Sequence, residues 1–398
     1  MELLSPAGNI EKLYYAYTYG ADAAYIGLKN FSLRAKADNF SDGEHLEIHR
    51  LKAGKRLYIA LNIYFHDHDI AQLEDSLDYI SAYPCDGFII SDIGILPLLR
   101  RRFPNKALHL STQANCTNSK AARFYRDMGF DRIILGRELS LKDIETVKRK
   151  VPDVEIEVFV HGAMCLAYSG RCFLSRYMAD RSANRGDCAG SCRWEYRILE
   201  EAKRPGEYYP VIEGENFTTI LSSRDLCMID HLKDLRDAGV DAIKIEGRMK
   251  SIYYTAVVTR AYRKMLDVLE GKKVDNLDEF KEELFKVSHR EFTTGFYYGK
   301  EEIELPTEKS YLQPYRFMGT IRDEISPGRF RIHVKNAIYQ GKPIEYTGPD
   351  VPVLRDKTFN LYDERFNPVE AAKHGREYYL ETEQPVKPGY IIRKPVSG

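Results

Sequence analysis

No run of about 18 apolar residues occurs in this 398-residue chain, so neither a membrane-spanning helix nor a membrane partner is expected. The opening residues MELLSPAGNIEKLYY lack a basic stretch followed by an apolar one. No secretory leader is read there, and a cytoplasmic location is expected. Net charge is also absent, because 59 Lys and Arg cancel 59 Asp and Glu. Overall charge thus argues neither for nor against a nucleic-acid partner; only a local basic patch could. Several signatures are missing: the H-E-x-x-H zinc-protease helix, the G-x-S-x-G nucleophile elbow, the phosphate-binding Walker A loop and the G-x-G-x-x-G dinucleotide turn. His66-Asp-His68-Asp69 has the residue types of a metal site, but with no further partners it reads as a solvated loop.

What the chain does have is a cysteine cluster. Cys165, Cys172, Cys188 and Cys192 follow the pattern C-x6-C-x15-C-x3-C, which places four of the seven thiols within 28 residues. Without an export signal, clustered thiols favour a metal or cluster site over disulfides. Zinc sites usually pair thiols as C-x2-4-C; Cys188 and Cys192 fit that spacing, whereas Cys165 and Cys172 are wider apart. Spacing alone leaves zinc and iron–sulfur both open. Cys85 and Cys116 lie near predicted strands and read as core. Cys227 is a reserve ligand that could replace Cys188 or Cys192. The same segment carries Arg171, Arg176, Arg181, Arg185, Arg193 and Arg197 among Tyr168, Phe173, Tyr177, Trp194 and Tyr196. Arginine interleaved with aromatics suits phosphate contact and base stacking on single-stranded nucleic acid, and equally an ordinary hairpin with solvated charges.

Short apolar runs alternate with helical periodicity through the first 250 residues or so. Strands are predicted near Leu3–Leu4, Ala23–Gly27, Leu57–Asn62, Gly87–Ser91, Ala107–Leu110, Arg132–Leu135, Glu155–Val160 and Ala242–Glu246. Helices are predicted at Asn9–Tyr19, Asp42–Ala53, Ile70–Ile80, Ser119–Met128, Leu141–Arg149 and Met228–Ala238, with Ser41 and Ser140 as caps. Eight strands alternating with helices imply an α/β fold, a TIM-like (β/α)8 barrel. A short repeat supports it: Gly20-Ala-Asp22 recurs as Gly129-Phe-Asp131 and Gly239-Val-Asp241, with Cys85-Asp86 a degenerate copy, before alternate strands. An insertion at 161–224 follows strand seven, and Arg193–Glu201 and Phe217–Ser222 within it could pair as a hairpin. Helices are also predicted at Ile252–Leu269 and Asp278–Val287. From Pro306 onward, strands at Tyr315–Ile321, Arg329–Val334, Tyr378–Glu383 and Tyr390–Ile392 suggest a small β-barrel. The expected division is a barrel at 1–270, a helical linker at 271–305 and a β domain at 306–398. Polar groups follow several strands: Ser5, Asn62, Asp92, Ser111, Gln113, Arg137, Glu138, His161, Glu246 and Arg248. In a barrel these share one mouth, where they could converge on a small anionic or polar ligand.

Glu157-Val-Phe159-Val-His161-Gly162-Ala163-Met164-Cys165, followed by Gly170-Arg-Cys172-Phe-Leu-Ser175, resembles the signature of the collagenase-like peptidase family U-32. Leu4-Ser-Pro-Ala-Gly8, Leu110-Ser-Thr-Gln-Ala-Asn115, Arg137-Glu138-Leu-Ser140 and Lys244-Ile-Glu-Gly-Arg248 extend the likeness, and the C-terminal region resembles an accessory domain of longer members. Cys188-Ala-Gly-Ser-Cys192-Arg-Trp-Glu-Tyr196 and Ser223-Arg-Asp225-Leu-Cys227 look like the tRNA-hydroxylating branch. The resemblance implies a uridine C5-hydroxylase acting on the tRNA anticodon loop to form 5-hydroxyuridine at the wobble position. It implies a [4Fe-4S] cluster on Cys165, Cys172, Cys188 and either Cys192 or Cys227, and prephenate as a small anionic hydroxyl donor. Catalytic roles are expected for Glu157, His161, Glu246 and Arg248, and substrate contacts for Gln113, Arg137, Glu138, Arg171, Arg193 and Trp194. A paralogous subunit is left open as a partner. Two other functions stay open, a collagenase-like peptidase and an RNA-binding protein with a structural zinc.

Overall fold

The structure is a computed structural model that describes residues 1–28, 40, 43–164, 179, 188, 212–214, 217–219, 224–299 and 311–396. In chain order its first strands are β1 (Glu2–Pro6), β2 (Ala23–Gly27), β3 (Arg56–Leu61), β4 (Gly87–Ile90), β5 (Ala107–Leu110), β6 (Arg132–Ile134) and β7 (Glu155–Ala163). They are followed by β8 (Ile212–Gly214), β9 (Phe217–Thr219), β10 (Asp225–Cys227), β11 (Ala242–Ile245) and β12 (Phe292–Thr293). Strands β1 to β7 pair in parallel in that order, and β11 pairs in parallel with both β7 and β1. This closes the eight-stranded barrel, with all eight strands where the apolar runs predict them. Helices at Ile10–Thr18, His45–Lys52, Ser119–Asp127 and Leu141–Lys150 also match. The Ser140 cap forms as expected: its hydroxyl accepts from the Asp143 N–H at 3.3 Å and the Asp143 carboxylate accepts from the Ser140 N–H at 3.1 Å. Ser41 and the segment 193–201 lie outside the described residues. The strand at Phe217–Thr219 pairs with Ile212–Gly214 as a short antiparallel hairpin.

The repeat has a physical explanation. Gly20, Gly129 and Gly239 each adopt a left-handed φ, of 104°, 92° and 83°, where a side chain would be strained. The aspartate two residues later accepts a backbone N–H from the preceding strand. Asp22 accepts from Leu3 at 2.9 Å, Asp86 from Leu57 at 2.7 Å, Asp131 from Leu108 at 2.8 Å and Asp241 from Ile156 at 2.7 Å. Four aspartates thus clip the strands together in pairs, β1 to β2, β3 to β4, β5 to β6 and β7 to β11.

Strand alternation places an unusual set of residues inside the barrel. Register relates Glu2, Tyr25, Tyr58, His109, Arg132, Glu157 and Lys244 as same-face positions. Contacts between non-adjacent strands confirm that this face is the lumen: Arg132 on β6 reaches Glu2 on β1 at 2.6 Å, and the Lys244 ammonium lies 4.5 Å from the Tyr25 ring centroid. Glu157 is fully buried, with one oxygen 3.1 Å from Arg132 and the other 3.1 Å from Lys244. The opposite strand face, with Leu3, Ile26, Leu57, Ile59, Phe88, Ile90, Ile133, Ile156 and Ile243, is apolar and buried. Burial pushes the Lys244 ammonium below its usual range, with Glu157 opposing. Burial and the fields of Arg132, Lys244 and Arg56 hold His109 well below its usual value, so it stays neutral.

The chain forms two compact units. One is Met1–Tyr17, Ala21–Lys250 and His289–Leu312; the other is Thr18–Gly20, Ser251–Ser288 and Gln313–Gly398. The expected boundary at 270 therefore moves to 250, and the expected linker divides between the units. The helix Ile252–Leu269 belongs with the C-terminal strands because Arg260 donates to Thr347 Oγ1 at 2.6 Å and to the Val351 carbonyl at 2.9 Å. That second unit contains β13 (Tyr315–Ser326), β14 (Arg329–Val334), β15 (Ile338–Tyr339), β16 (Ile344–Thr347), β17 (Leu354–Asp356), β18 (Asn360–Asp363), β19 (Ala371–Ala372), β20 (Tyr378–Glu381) and β21 (Ile391–Pro395). Seven of them form an antiparallel sheet in the order β17-β16-β21-β13-β14-β20-β18, a half-barrel around Met318, Ile321, Phe330, Tyr346, Leu380 and Ile392. The buried Arg393 guanidinium meets Glu283 at 2.9 Å and Glu345 at 3.0 Å within this unit. Among the described residues no helix is long and apolar enough to cross a membrane.

Glu157→Ala leaves two buried cations without their shared carboxylate. We expect a loss of about 3–5 kcal/mol in urea unfolding of the barrel unit; an unchanged midpoint would contradict the lumen network. The His109 pKa is lower in the folded chain than in the unfolded one, so between the two values the unfolded state binds the extra proton. Its contribution to stability is therefore present near pH 7.5 and lost as pH falls below about 6.5. Unfolding midpoints at pH 7.5 and 5 should fall more for the wild type than for His109→Gln.

Candidate active site at the barrel mouth

The C-terminal ends of the barrel strands carry most of the polar residues predicted for the site. Strand β7 is nine residues long and outlasts its neighbours. Its first part pairs with β6 and β11, while His161, Gly162 and Ala163 pair antiparallel with Cys227, Leu226 and Asp225 of β10. A register shift between Lys244 and Ile245 brings Ile245 opposite His161. The end of β7 is held from two sides: Arg137 donates to the Ala163 carbonyl at 2.9 Å, and the Tyr297 hydroxyl donates to the Phe159 carbonyl at 2.5 Å. The Arg137 guanidinium also lies 5.2 Å from the Phe159 ring centroid.

Beside this strand end is a buried group that the sequence did not reveal. Asp225 accepts from Arg290 Nε at 2.9 Å, Nη2 at 2.7 Å and the backbone N–H at 3.1 Å. Burial pushes the Asp225 carboxyl up, but the Arg290 charge and hydrogen bonds more than offset this and hold it below the usual range. His289 stacks on Phe292 at 4.5 Å, and Phe292 lies 5.3 Å from the His161 ring. His161 is buried, and burial, against the opposing charge of Asp225, pushes its pKa down to about 3. It is a neutral imidazole at physiological pH. Asp225 sits in a quoted motif, but Arg290 is 65 residues away and no local pattern marks it.

The remaining predicted residues divide by environment. Gln113 lies in the turn after β5, buried, with its Oε1 lacking a hydrogen-bond partner among the described residues, while its backbone carbonyl accepts from the Tyr64 hydroxyl at 2.6 Å. Glu138 follows β6, and its buried Oε2 likewise has no partner among the described residues. Arg248 is 3% exposed, and its carbonyl accepts from the Lys12 ammonium at 3.3 Å. Glu246 is half-buried, and its N–H donates to the His161 carbonyl at 2.8 Å. Glu157 lies two positions before Phe159, deeper in the lumen, between Arg132 and Lys244. Asp92 and Ser111 serve the backbone: Asp92 accepts from Gly94 at 2.8 Å and from Phe65 at 2.9 Å, and Ser111 from Gln113 at 3.3 Å. His66 and His68 are exposed at the start of a helix, where the His66 N–H donates to Asp69 at 2.9 Å.

Cys85 and Cys116 are buried, with their thiols pushed up to about 11 by burial, as expected for core cysteines. Cys188 is exposed and Cys227 is half-buried on β10. Cys165, Cys172, Cys192, Arg171, Arg193 and Trp194 lie outside the described residues. Among the described residues no group of three or more His, Cys, Asp or Glu is placed to hold a metal ion. A cavity of about 510 Å³ opens at the opposite, N-terminal end of the barrel, lined by Arg56, Tyr58, His109, Arg126, Arg132 and Glu155. Its cations are already paired, Arg56 with Glu2, Arg126 with Asp153 and Arg132 with Glu155.

These features define a (β/α)8-barrel protein with an enzyme-type mouth, a cysteine-bearing segment after strand seven and a C-terminal β unit. Residues 8–306 match Peptidase family U32 and residues 313–393 match the Peptidase family U32 C-terminal domain. The chain belongs to peptidase family U32. It is 36% identical to tRNA hydroxylation protein P1 of Bacillus subtilis, covering 99% of this chain and 94% of that one. It is also 36% identical to tRNA hydroxylation protein P of Escherichia coli, over 87% of this chain and 86% of that protein. A protein of Porphyromonas gingivalis named collagenase is 30% identical over 97% of this chain and 96% of its own length.

Arg290→Met removes the partner of a buried carboxylate. Amide hydrogen exchange should speed up about tenfold or more at residues 225–229 and 289–293, with β1 to β5 unchanged. Unaltered exchange at β10 would show that the ion pair does not hold this side of the mouth.

Proposed function

We propose that the chain is an iron–sulfur-dependent tRNA hydroxylase that forms 5-hydroxyuridine at the wobble position, with prephenate as hydroxyl donor. The observation that carries this reading is the similarity, over nearly the whole of both chains, to a relative named for tRNA hydroxylation. The mouth is compatible with it. Gln113 Oε1 and Glu138 Oε2 are acceptors without partners among the described residues, suited to a ligand that presents N–H or O–H groups. Arg248 supplies a fixed cation at the same rim for a carboxylate-bearing donor. Cys165, Cys172, Cys188 and either Cys192 or Cys227 would hold the cluster, which would supply electron transfer or structural support. Of the candidates with a described position, Cys188 is exposed and Cys227 is half-buried on β10, opposite His161.

The relative named collagenase favours a second reading, a peptidase. The lumen speaks against Glu157 as its general base, because both carboxylate oxygens already face cations at 3.1 Å. A deletion strain should lose 5-hydroxyuridine from its tRNA, and the wild-type gene should restore it where Cys172→Ser does not. Anaerobically purified wild type should contain iron and acid-labile sulfide, and Cys172→Ser should lack both. An unchanged nucleoside profile, or a colourless zinc protein that cleaves gelatin, would sink the hydroxylase reading.

A further inference from the structure

The formal charge of zero conceals a sharp local division. Residues 57–99 contain no Lys or Arg and seven acidic residues: Asp67, Asp69, Glu74, Asp75, Asp78, Asp86 and Asp92. Residues 96–150 contain thirteen Lys and Arg against five Asp and Glu. The basic stretch spans three successive helices, Leu96–Arg102, Ser119–Asp127 and Leu141–Lys150. They follow the neighbouring strands β4, β5 and β6, so they cover one continuous side of the barrel.

Some of these cations are occupied. Arg100 pairs with Asp131, Arg102 with Asp78, Arg126 with Asp153 and Lys148 with Asp241. Six others, Arg101, Lys120, Arg123, Lys142, Arg149 and Lys150, are exposed and have no carboxylate partner among the described residues. Phe124 is 58% exposed among them. Cations in a last helical turn complement the helix dipole, which accounts for Arg101, Arg149 and Lys150. It does not account for Lys120 and Lys142. Each is the second residue of its helix, at the positive end, where a cation is unfavourable. In a (β/α)8 barrel those helix starts follow the strand C-termini, so both lysines lie toward the mouth rim.

We propose that this side of the barrel docks the phosphate backbone of a structured RNA, running from the mouth rim at Lys120 and Lys142 outward past Arg123 and Phe124. Charge complementarity selects a polyanion over a small ligand, because the cations are spread over three helices and do not converge. Phe124 adds an apolar contact for a sugar or an unpaired base. In the acidic segment before it, Asp67, Glu74 and Asp75 are exposed and outside any ion pair among the described residues, so they repel the same backbone and bias the direction of approach. This assignment rests on the proposed RNA substrate and adds the surface that would hold it.

The test uses the full-length protein and unmodified tRNA, with binding followed by fluorescence anisotropy across salt concentrations. One variant combines Lys120→Gln, Arg123→Gln and Lys142→Gln. A control with the same charge change combines Lys335→Gln, Lys342→Gln and Lys387→Gln, all exposed and in the other unit. The first variant should bind at least about tenfold more weakly and flatten the slope of log affinity against log salt by about 2–3, while the control stays within about twofold of wild type. Equal weakening of both variants would reduce the effect to net charge and overturn the docking surface. An unchanged first variant would overturn it too, while leaving the hydroxylase reading intact. Wild type without tRNA affinity, together with an unchanged nucleoside profile, would overturn both.

Discussion

The interaction on which the barrel unit depends is the buried carboxylate of Glu157, shared between Arg132 and Lys244. (β/α)8 interiors are usually filled by layers of branched apolar side chains. Here the outward face is apolar, and the inward face mixes Leu4, Ile89 and Ile134 with a set of charged and aromatic groups. A buried carboxylate is tolerated only when its charge is matched and its oxygens engaged. Arg132 meets this need from β6 while also reaching Glu2 on β1 and Glu155 on β7. One guanidinium thus ties strands on opposite sides of the lumen. A one-residue slip of any of these strands would expel its charge from the network, so the pairing fixes register more sharply than apolar packing could.

That same polar interior explains why the strands were legible. Each is a short apolar run because its outer face is buried, and the inward residues are long enough not to break the pattern. The clip aspartates left a second trace, since the Gly-x-Asp repeat records a backbone requirement that recurs at every other strand. Unit membership was less legible. The helix Ile252–Leu269 follows the last barrel strand directly, and nothing in its periodicity shows that Arg260 and Tyr253 bury among C-terminal strands. The half-barrel was read from four strands because its others are two to four residues long, below the length at which alternation is visible.

At the mouth, the rule that polar residues after barrel strands share one face placed Gln113, Glu138, His161 and Arg248 correctly by position. It did not distinguish their states. Asp92 and Ser111 obey the same rule but are engaged by backbone N–H groups, those of Gly94 and Phe65 for Asp92 and of Gln113 for Ser111, while Gln113 and Glu138 keep oxygens with no partner among the described residues. The Asp225–Arg290 pair was illegible for another reason: its partners are distant in sequence and meet only because β12 aligns with β10.

The neutral His161 and the fixed Asp225–Arg290 pair make this side of the mouth rigid and nearly uncharged, while Arg248 carries a positive charge at the same rim. Such a site can position a polar ligand but has little long-range field with which to gather one. The field resides instead on the outer helices Leu96–Arg102, Ser119–Asp127 and Leu141–Lys150, which carry ten Lys and Arg beside a stretch that has none. A dipolar surface of this kind acts beyond contact distance and orients an incoming polyanion before any base reaches the mouth. Under the proposed docking, capture and positioning fall to different parts of the barrel. A chain of balanced overall charge can then still carry a strong local field on one side.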